Sequence, residues 1–391
     1  MQFNNIVFFD DQEVANLYPL TYTKPAADLL CGIFTLAEKW QKRLTMPVSY
    51  LAQAHLSKKY VSQANENSLF INSRLVYNPQ LLSEIMALPS DAVLMKENIV
   101  LAYKKIKSEE TIQTNSEIVL ISRCHNLFTL NAQEIENDFE FIFSTNESEA
   151  ISSTNTVLGK GKIYIEKGAK VEASILNTTD GSIYIGKDAE IMEGCMVRGP
   201  FALLEHGVVK MGAKIYSGTT IGKYSKVGGE VNNSVVCSFS NKGHDGFLGN
   251  SVLGEWCNLG ADSNNSNLKN NYEPVRLWNY TMNSFEKTGL QFCGLIMGDH
   301  SKCGINTMFN TGTVVGVSAN IFGSGFPRNF VPSFSWGGAH GFETYITKKA
   351  FQTAEIVMQR RKETLSENDK EIMEFIFEKE KQYRTWENND K

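Results

Sequence analysis

Six histidines are spread over 391 residues, and His244 stands in a stretch rich in glycine, Asn241-Lys242-Gly243-His244-Asp245-Gly246. An imidazole that is neutral near pH 7 can take a proton from an attacking nucleophile, so this residue is the first candidate for general-base work. Asn258 and Ala261 follow it by 14 and 17 residues, in Asn258-Leu259-Gly260-Ala261. Near the start, Lys24 lies in Pro19-Leu-Thr-Tyr-Thr-Lys24-Pro25, downstream of the acidic pair Asp10-Asp11. The seven cysteines include no C-x-x-C pair and no metal-ligand spacing, which points to free thiols in a reducing compartment. The metal ligands, if any, are unknown from sequence. A net charge of −5 with 21% charged residues gives no reason to expect nucleic acid or an anionic membrane as partner. Anionic small substrates fit only where local cations hold them.

What positions these residues is a repeat. Ile185, Ile191, Val197, Leu203, Val209, Ile215, Ile221 and Val227 recur every six residues and all are aliphatic. Six matches neither the 3.6 period of a helix nor the period of two of an ordinary strand. It is the period of a β-helix with one side of the coil per six residues. Ile165 and Val171 start the pattern. It lapses after Val227, returns at Phe247, Leu253 and Leu259, lapses again from Asp262 to about Lys287, and resumes through Met297, Cys303, Phe309, Val315 and Ile321. Both lapses are expected to be loops thrown outward from a rigid stack, where sites are commonly built. A turn of such a coil takes about 18 residues, so His244, Asn258 and Ala261 should lie on neighbouring turns, about 4.8 Å apart.

Before the coil, Phe3–Phe9, Val48–Ala52 and Ser68–Val76 read as strands, Gly32–Trp40 has helical spacing, and Asn78-Pro79 reads as a helix cap followed by proline. Ala92–Ile106 reads as a hairpin through Lys96-Glu97-Asn98. The alternation predicts an α/β domain over 1–140, with 141–155 as a connection within a polar, irregular stretch, 107–155. The coil follows over 156–335. A helical extension occupies 336–391, with Ser366 and Asp369 forming a capping box, an apolar stripe at Ile372, Phe375, Ile376 and Tyr383, and a frayed end at Glu387–Lys391. No apolar run approaches ~20 residues and the N-terminus has no signal-peptide pattern, so a cytoplasmic protein is expected.

The motifs Gly199–Gly207 (GPFALLEHG) and Lys242–Ala261 (KGHDGFLGNSVLGEWCNLGA), with PLTYTKP near the start, resemble the bifunctional family that joins glucosamine-1-phosphate N-acetyltransferase to N-acetylglucosamine-1-phosphate uridyltransferase, in its Bacteroidetes-type variant. The resemblance implies an α/β nucleotidyltransferase-like domain followed by an all-β left-handed parallel β-helix with C-terminal helices. It implies acetyl-CoA as cosubstrate, an amino-sugar-1-phosphate as acceptor, and a homotrimer. His244 matches the family's base, Asn258 its sugar-contacting asparagine, and the Ala261 amide the group facing the acetyl carbonyl. Tyr272, with Asn267 or Asn271, resembles the residues closing the sugar pocket. Asn306 and Ser324 fall where coenzyme A contacts lie.

Departures accompany the match. Leu203 stands where the family has arginine, and Asn232-Asn233 where it has two lysines. Those cations serve the sugar phosphate, so Lys242, Lys269 or Arg276 must substitute, or the acceptor differs. The glycine-rich triphosphate loop is absent from Phe8–Thr21, and Phe70–Asn78 lacks the metal-binding aspartate. A degenerate first domain is expected, with Lys24 its remaining catalytic candidate and Mg²⁺ handling altered or lost. The reading is therefore acetyl transfer to an amino-sugar-1-phosphate. The alternatives are nucleotidyl transfer from UTP or dTTP to a sugar-1-phosphate, or a non-catalytic scaffold binding a sugar nucleotide.

Overall fold

The computed structural model describes residues 3–104 and 110–388, which form two compact units. One unit comprises the chain up to Leu17, Thr21–Leu29 and Phe34–Arg123. In it Asn5–Phe9 pairs in parallel with both Val48–Leu51 and Ser68–Asn72. Ile99–Tyr103 joins antiparallel to Ser68–Asn72, and Ala92–Lys96 turns back on Ile99–Tyr103 as the expected hairpin, whose last two expected residues lie outside the described residues. Glu110–Gln113 completes the six strands. Helix α1, Leu36–Leu44, begins three or four residues later than the spacing suggested, because Thr35 caps it and Glu38 returns the bond. Helix α2, Pro79–Ala87, starts on the Asn78 cap as expected.

The other unit is Tyr18–Leu20, Leu30–Ile33 and Cys124–Lys391. Its body is a three-sided parallel coil. One side has nine strands from Ile163–Ile165 to Phe330–Val331; the second runs from Lys170–Val171 to Ser335–Gly338 and ends on the antiparallel strand Gly341–Thr344. The third has six strands, Thr156–Leu158 to Phe247–Gly249, continued by the pair Asn264–Asn265 and Met308–Phe309. This is the coil architecture that the period predicted. All eight aliphatics from Ile185 to Val227 are at most 2% exposed and share one core.

The first lapse is not a loop. The inward residues continue as Val227, Val231, Val236, Lys242, Leu248 and Leu253. Three of those sides are shortened to four or five residues, so the strict period fails while the coil goes on. Phe247 is half-buried and points outward; Leu248 takes the core position expected for it. Within the second lapse, Asn264–Asn265 still belongs to the third side of the coil; the chain beyond it is an outward excursion that carries an antiparallel hairpin, Arg276–Asn279 with Ser284–Lys287.

The expected irregular stretch contains a 20-residue helix, α3, Asn126–Thr145, and the expected domain limit at 140 falls inside it. Its buried stripe is Leu127, Phe128, Asn131, Glu134, Ile135, Asp138, Phe139 and Ile142. The spacing is helical, but three members are polar, which hides the stripe from a hydrophobicity reading. The polar members are used: Asn131 accepts from the Gly32 N–H at 2.7 Å and donates to the Gly218 carbonyl at 2.8 Å, and Asp138 accepts from the Ile33 N–H at 3.0 Å. At the C-terminus, α4 is Thr347–Gln359 and α5 is Glu367–Lys379. The Ser366–Asp369 capping box is present, but Met373 rather than Phe375 completes the buried stripe. Of the end expected to fray, 389–391 lie outside the described residues.

Candidate functional site

The edge between the second and third sides of the coil collects most of the candidate residues. Leu259, Cys303 and Ile321 are inward on successive turns, and Asp262, Asn306 and Ser324 each follow by three residues. The Asp262 N–H donates to the Asp245 carbonyl at 3.1 Å, and the Asn306 N–H to the Ala261 carbonyl at 2.8 Å. His244, Ala261 and Asn306 therefore stack along one edge. Asn258 pairs with Asn241 on one side and Lys302 on the other, pointing outward beside that edge. Ser324, one turn further, bonds His340 Nε2 at 3.2 Å.

His244 is exposed, and its imidazole has no hydrogen-bond partner among the described residues. The Ala261 N–H likewise has no acceptor there. The turn before His244 makes room for a ligand. Only Gly228, Gly229 and Glu230 separate inward Val227 from inward Val231, two fewer than the five residues separating Lys242 from Leu248. A β-carbon on Gly229, at φ +70°, would stand 2.7 Å from the Gly246 carbonyl oxygen, so the short corner needs glycine. A β-carbon on Gly243 would meet nothing within 4 Å. The result is a notch with a glycine floor, flanked by the corner of Lys210 and Met211 and by the corner of His244.

Cations reach this notch that the sequence reading did not single out. Lys226 is register-paired with Asn241, and the Lys210 N–H donates to the Val227 carbonyl at 2.8 Å. Neither side chain makes a hydrogen bond or ion pair among the described residues, nor do those of Arg360 and Arg361 at the end of α4. The Lys226 ammonium is pushed below the usual lysine range by burial and then by the charges of Arg361, Lys210 and Arg360. Arg360-Arg361-Lys362 was the available signal, but nothing in the period ties it to the edge.

Three expected sugar-pocket residues lie elsewhere. Asn267 donates to Asn250 Oδ1 at 2.9 Å, at the far edge of the third side from His244. Asn271 accepts from the Glu273 N–H at 3.2 Å and Tyr272 is 63% exposed, both on the outward excursion. Lys242, expected to meet substrate, is only 1% exposed and lies inside the coil, level with Val227. Its register makes it an inward residue, so it cannot reach an outside phosphate.

The N-terminal unit has its own polar cluster, at the C-terminal ends of the parallel strands Asn5–Phe9 and Ser68–Asn72, the place where open α/β sheets bind ligands. Arg74, 1% exposed, holds Asp11 through two bonds, Nε at 2.9 Å and Nη2 at 2.6 Å. Asn72 donates to Asp11 at 2.9 Å. Asp10 accepts from Ser73 at 2.5 Å and from the Ala26 and Gln53 N–H groups at 3.3 Å, and burial keeps its carboxyl above the usual range. Lys24 is buried. These carboxylates are committed to protein donors, and among the described residues no group of three His, Cys, Asp or Glu could hold a metal.

Residues 6–147 match the sugar nucleotidyl transferase family. The bifunctional protein GlmU of Methanocaldococcus jannaschii is 31% identical over 118 residues, 30% of this chain and 26% of that protein. The matches support a GlmU-like family. An uncharacterised acetyltransferase, YaiX, of Escherichia coli K12 is 26% identical over 149 residues, 38% of this chain and 64% of that protein. The chain thus spans about a quarter of one relative and under two thirds of the other. A solved UDP-N-acetylglucosamine acyltransferase from Arabidopsis is 16% identical, covers 55% of this chain and 80% of that one, and superposes with a TM-score of 0.24. No helix among the described residues is long and apolar enough to cross a membrane.

Proposed function

We propose that the coil transfers an acetyl group from acetyl-CoA to the amine of a phosphorylated amino sugar. The observation that carries this is the edge itself: an exposed, unpartnered imidazole one turn from an unpartnered amide, beside a notch that cations reach. In the reaction the amine nitrogen attacks the thioester carbonyl, His244 takes the amine proton, and coenzyme A leaves as the thiolate. The Ala261 N–H faces the developing oxyanion, a kind of contact worth roughly 10²- to 10³-fold in rate. Lys210 and Lys226 are the cations nearest the acceptor's phosphate, in place of Lys242, while Lys269 and Arg276 sit on the excursion. Asn306 and Ser324, further along the edge, are the coenzyme A side of the site.

Exposed apolar side chains on the coil support the expected trimer. Ile175 and Met196 are register-paired outward residues, 40% and 46% exposed, and Met211 and Ile305 at the edge are each 70% exposed. Apolar groups concentrated on one face mark contact surfaces. Light scattering should report three chains per particle; a monomer at micromolar concentration contradicts this.

The N-terminal unit matches a nucleotidyltransferase family while its carboxylates are held by Arg74, Ser73 and backbone amides, which supports sugar-nucleotide binding with weak or no turnover. Turnover of UTP or dTTP with Mg²⁺ near the ordinary enzyme scale of about 10 per second would overturn that part. The deciding assay is product mass spectrometry with acetyl-CoA, glucosamine-1-phosphate, UTP and Mg²⁺, omitting one component at a time. An N-acetylated product that requires acetyl-CoA supports the reading. Binding without product would leave the scaffold reading in its place.

A further inference from the structure

The second side of the coil is lined by Val171, Ile191, Val209, Val227, Lys242, Leu259, Cys303 and Ile321. Seven of these are apolar and one is a lysine. A charge inside an apolar stack is expensive to keep unless its donors are used. The Lys242 ammonium is used: it donates to the carbonyl oxygen of His244 and, at 3.0 Å, to that of Asp245. The Asp245 carbonyl also accepts from the Asp262 N–H, next to Ala261.

Neighbouring turns brace this corner at two carbonyls, Asp245 from the Asp262 N–H and Gly246 from the Glu230 N–H, each at 3.1 Å. At the corresponding corner two turns earlier, the Ala213 N–H closes onto the Lys210 carbonyl at 3.2 Å. The equivalent closure within Gly243–Gly246 is not made. Two glycines flank His244-Asp245, and a β-carbon on Gly243 would meet nothing within 4 Å. The Lys242 ammonium adds to these bonds a contact from inside the coil that no other corner of this edge receives from a second-side inward residue, the rest being apolar.

We infer that Lys242 is a positioning residue, its ammonium inside the coil fixing the corner that carries His244 against the turn that carries Ala261. The catalytic consequence rests on the acetyl-transfer reading; the structural one does not. An imidazole and an amide on separate turns must keep their spacing for one reacting group to meet both, and small losses of alignment are costly in rate. A lysine does this where an aliphatic residue could not, because only a donor on a long stem reaches two carbonyls from the core.

The test is Lys242→Met, which fills the same volume without the charge, with Lys242→Leu as a second variant should the first fold poorly. Hydrogen exchange read by mass spectrometry should show the 243–247 amides exchanging at least about tenfold faster, with the other corners unchanged. Acetyl transfer should lose about tenfold or more in kcat, with KM for acetyl-CoA within twofold, a split that general loss of structure does not give. Reductive methylation of the wild-type protein supplies an arm without a variant: Lys242 should resist, while exposed Lys160 reacts. Exchange at 243–247 within twofold of wild type, or methylation of Lys242 at the Lys160 rate, overturns the inference. Absence of any acetylation by the wild type instead overturns the functional reading, and leaves the exchange result to decide the role of Lys242.

Discussion

In the N-terminal unit the polar side chains at the strand ends are bonded to one another; at the coil edge around His244 they are not. Asp11, Arg74, Asn72, Asp10 and Ser73 form a closed set, with Arg74 buried and bidentate. His244 and the Ala261 amide have no protein partner among the described residues, and Lys210 and Lys226 carry unpaired charge beside a glycine-floored notch. A group already satisfied by its own protein gives up that bond to take a ligand, whereas an unpaired group does not. The contrast teaches where chemistry is expected: the coil edge is available, and the strand ends are occupied by the protein itself.

The largest way to break the comparison is in the scaffold. Ile215→Asp buries an unpaired charge in the core that aligns the whole edge, and should cost several kcal/mol. Denaturant unfolding should show the coil lost; a wild-type midpoint would show that Ile215 is not inside. Next is Arg74→Leu, which strands Asp11 and should cost about 3–5 kcal/mol, most of it restored when Asp11→Asn is added. An unchanged midpoint in the single variant would show the strand-end cluster is not closed.

A smaller effect concerns α3. Asn131→Ala leaves the Gly32 N–H and Gly218 carbonyl without their partner and should cost about 1–3 kcal/mol. The smallest is a pH effect. Burial lowers Lys242 to about 8, against the opposing charges of Asp245, Asp262 and Cys303. Between pH 8 and the ordinary lysine value near 10.4, the unfolded chain holds a proton that the folded one has lost, so stability contributed by this group rises with pH. The stability of wild type relative to Lys242→Met should therefore increase over that range, by at most about 1.4 kcal/mol per pH unit. A difference that falls with pH contradicts the placement of the ammonium.

The coil was legible because one residue in six decides it, and aliphatics at that spacing leave little else to build. What was not legible has physical reasons. The sides after Val227 shorten to four and five residues, so counting by six predicted a loop where the coil persists and put Phe247 in the core instead of Leu248. Lys242 is an inward residue by register, yet a lysine is read from sequence as outward and available. Helix α3 hid because Asn131, Glu134 and Asp138 occupy its buried stripe. One signal was present and unused: the third residue after each inward aliphatic of the first side has positive φ, as in His206, Tyr224, Phe239, Trp256 and His300. Their rings stack from turn to turn, with Phe239 and Trp256 at 4.1 Å and 4°. Bulky residues rarely take that conformation, and each such stack returns about 0.5–1.5 kcal/mol beyond burial. Of the site, the alignment of His244, Asn258 and Ala261 followed from an 18-residue turn, whereas the notch and its cations needed the short corner at Gly228-Gly229.

The central claim is that His244 takes the acceptor's proton at this edge. The direct measurement is the rate of acetyl transfer from acetyl-CoA to glucosamine-1-phosphate by wild type and His244→Ala, with acetyl-CoA binding measured alongside. The account predicts a loss of roughly 10²- to 10⁴-fold in kcat, the usual contribution of a general base, with cofactor affinity nearly unchanged. Full activity in His244→Ala, or a wild type that does not bind acetyl-CoA at all, would contradict it.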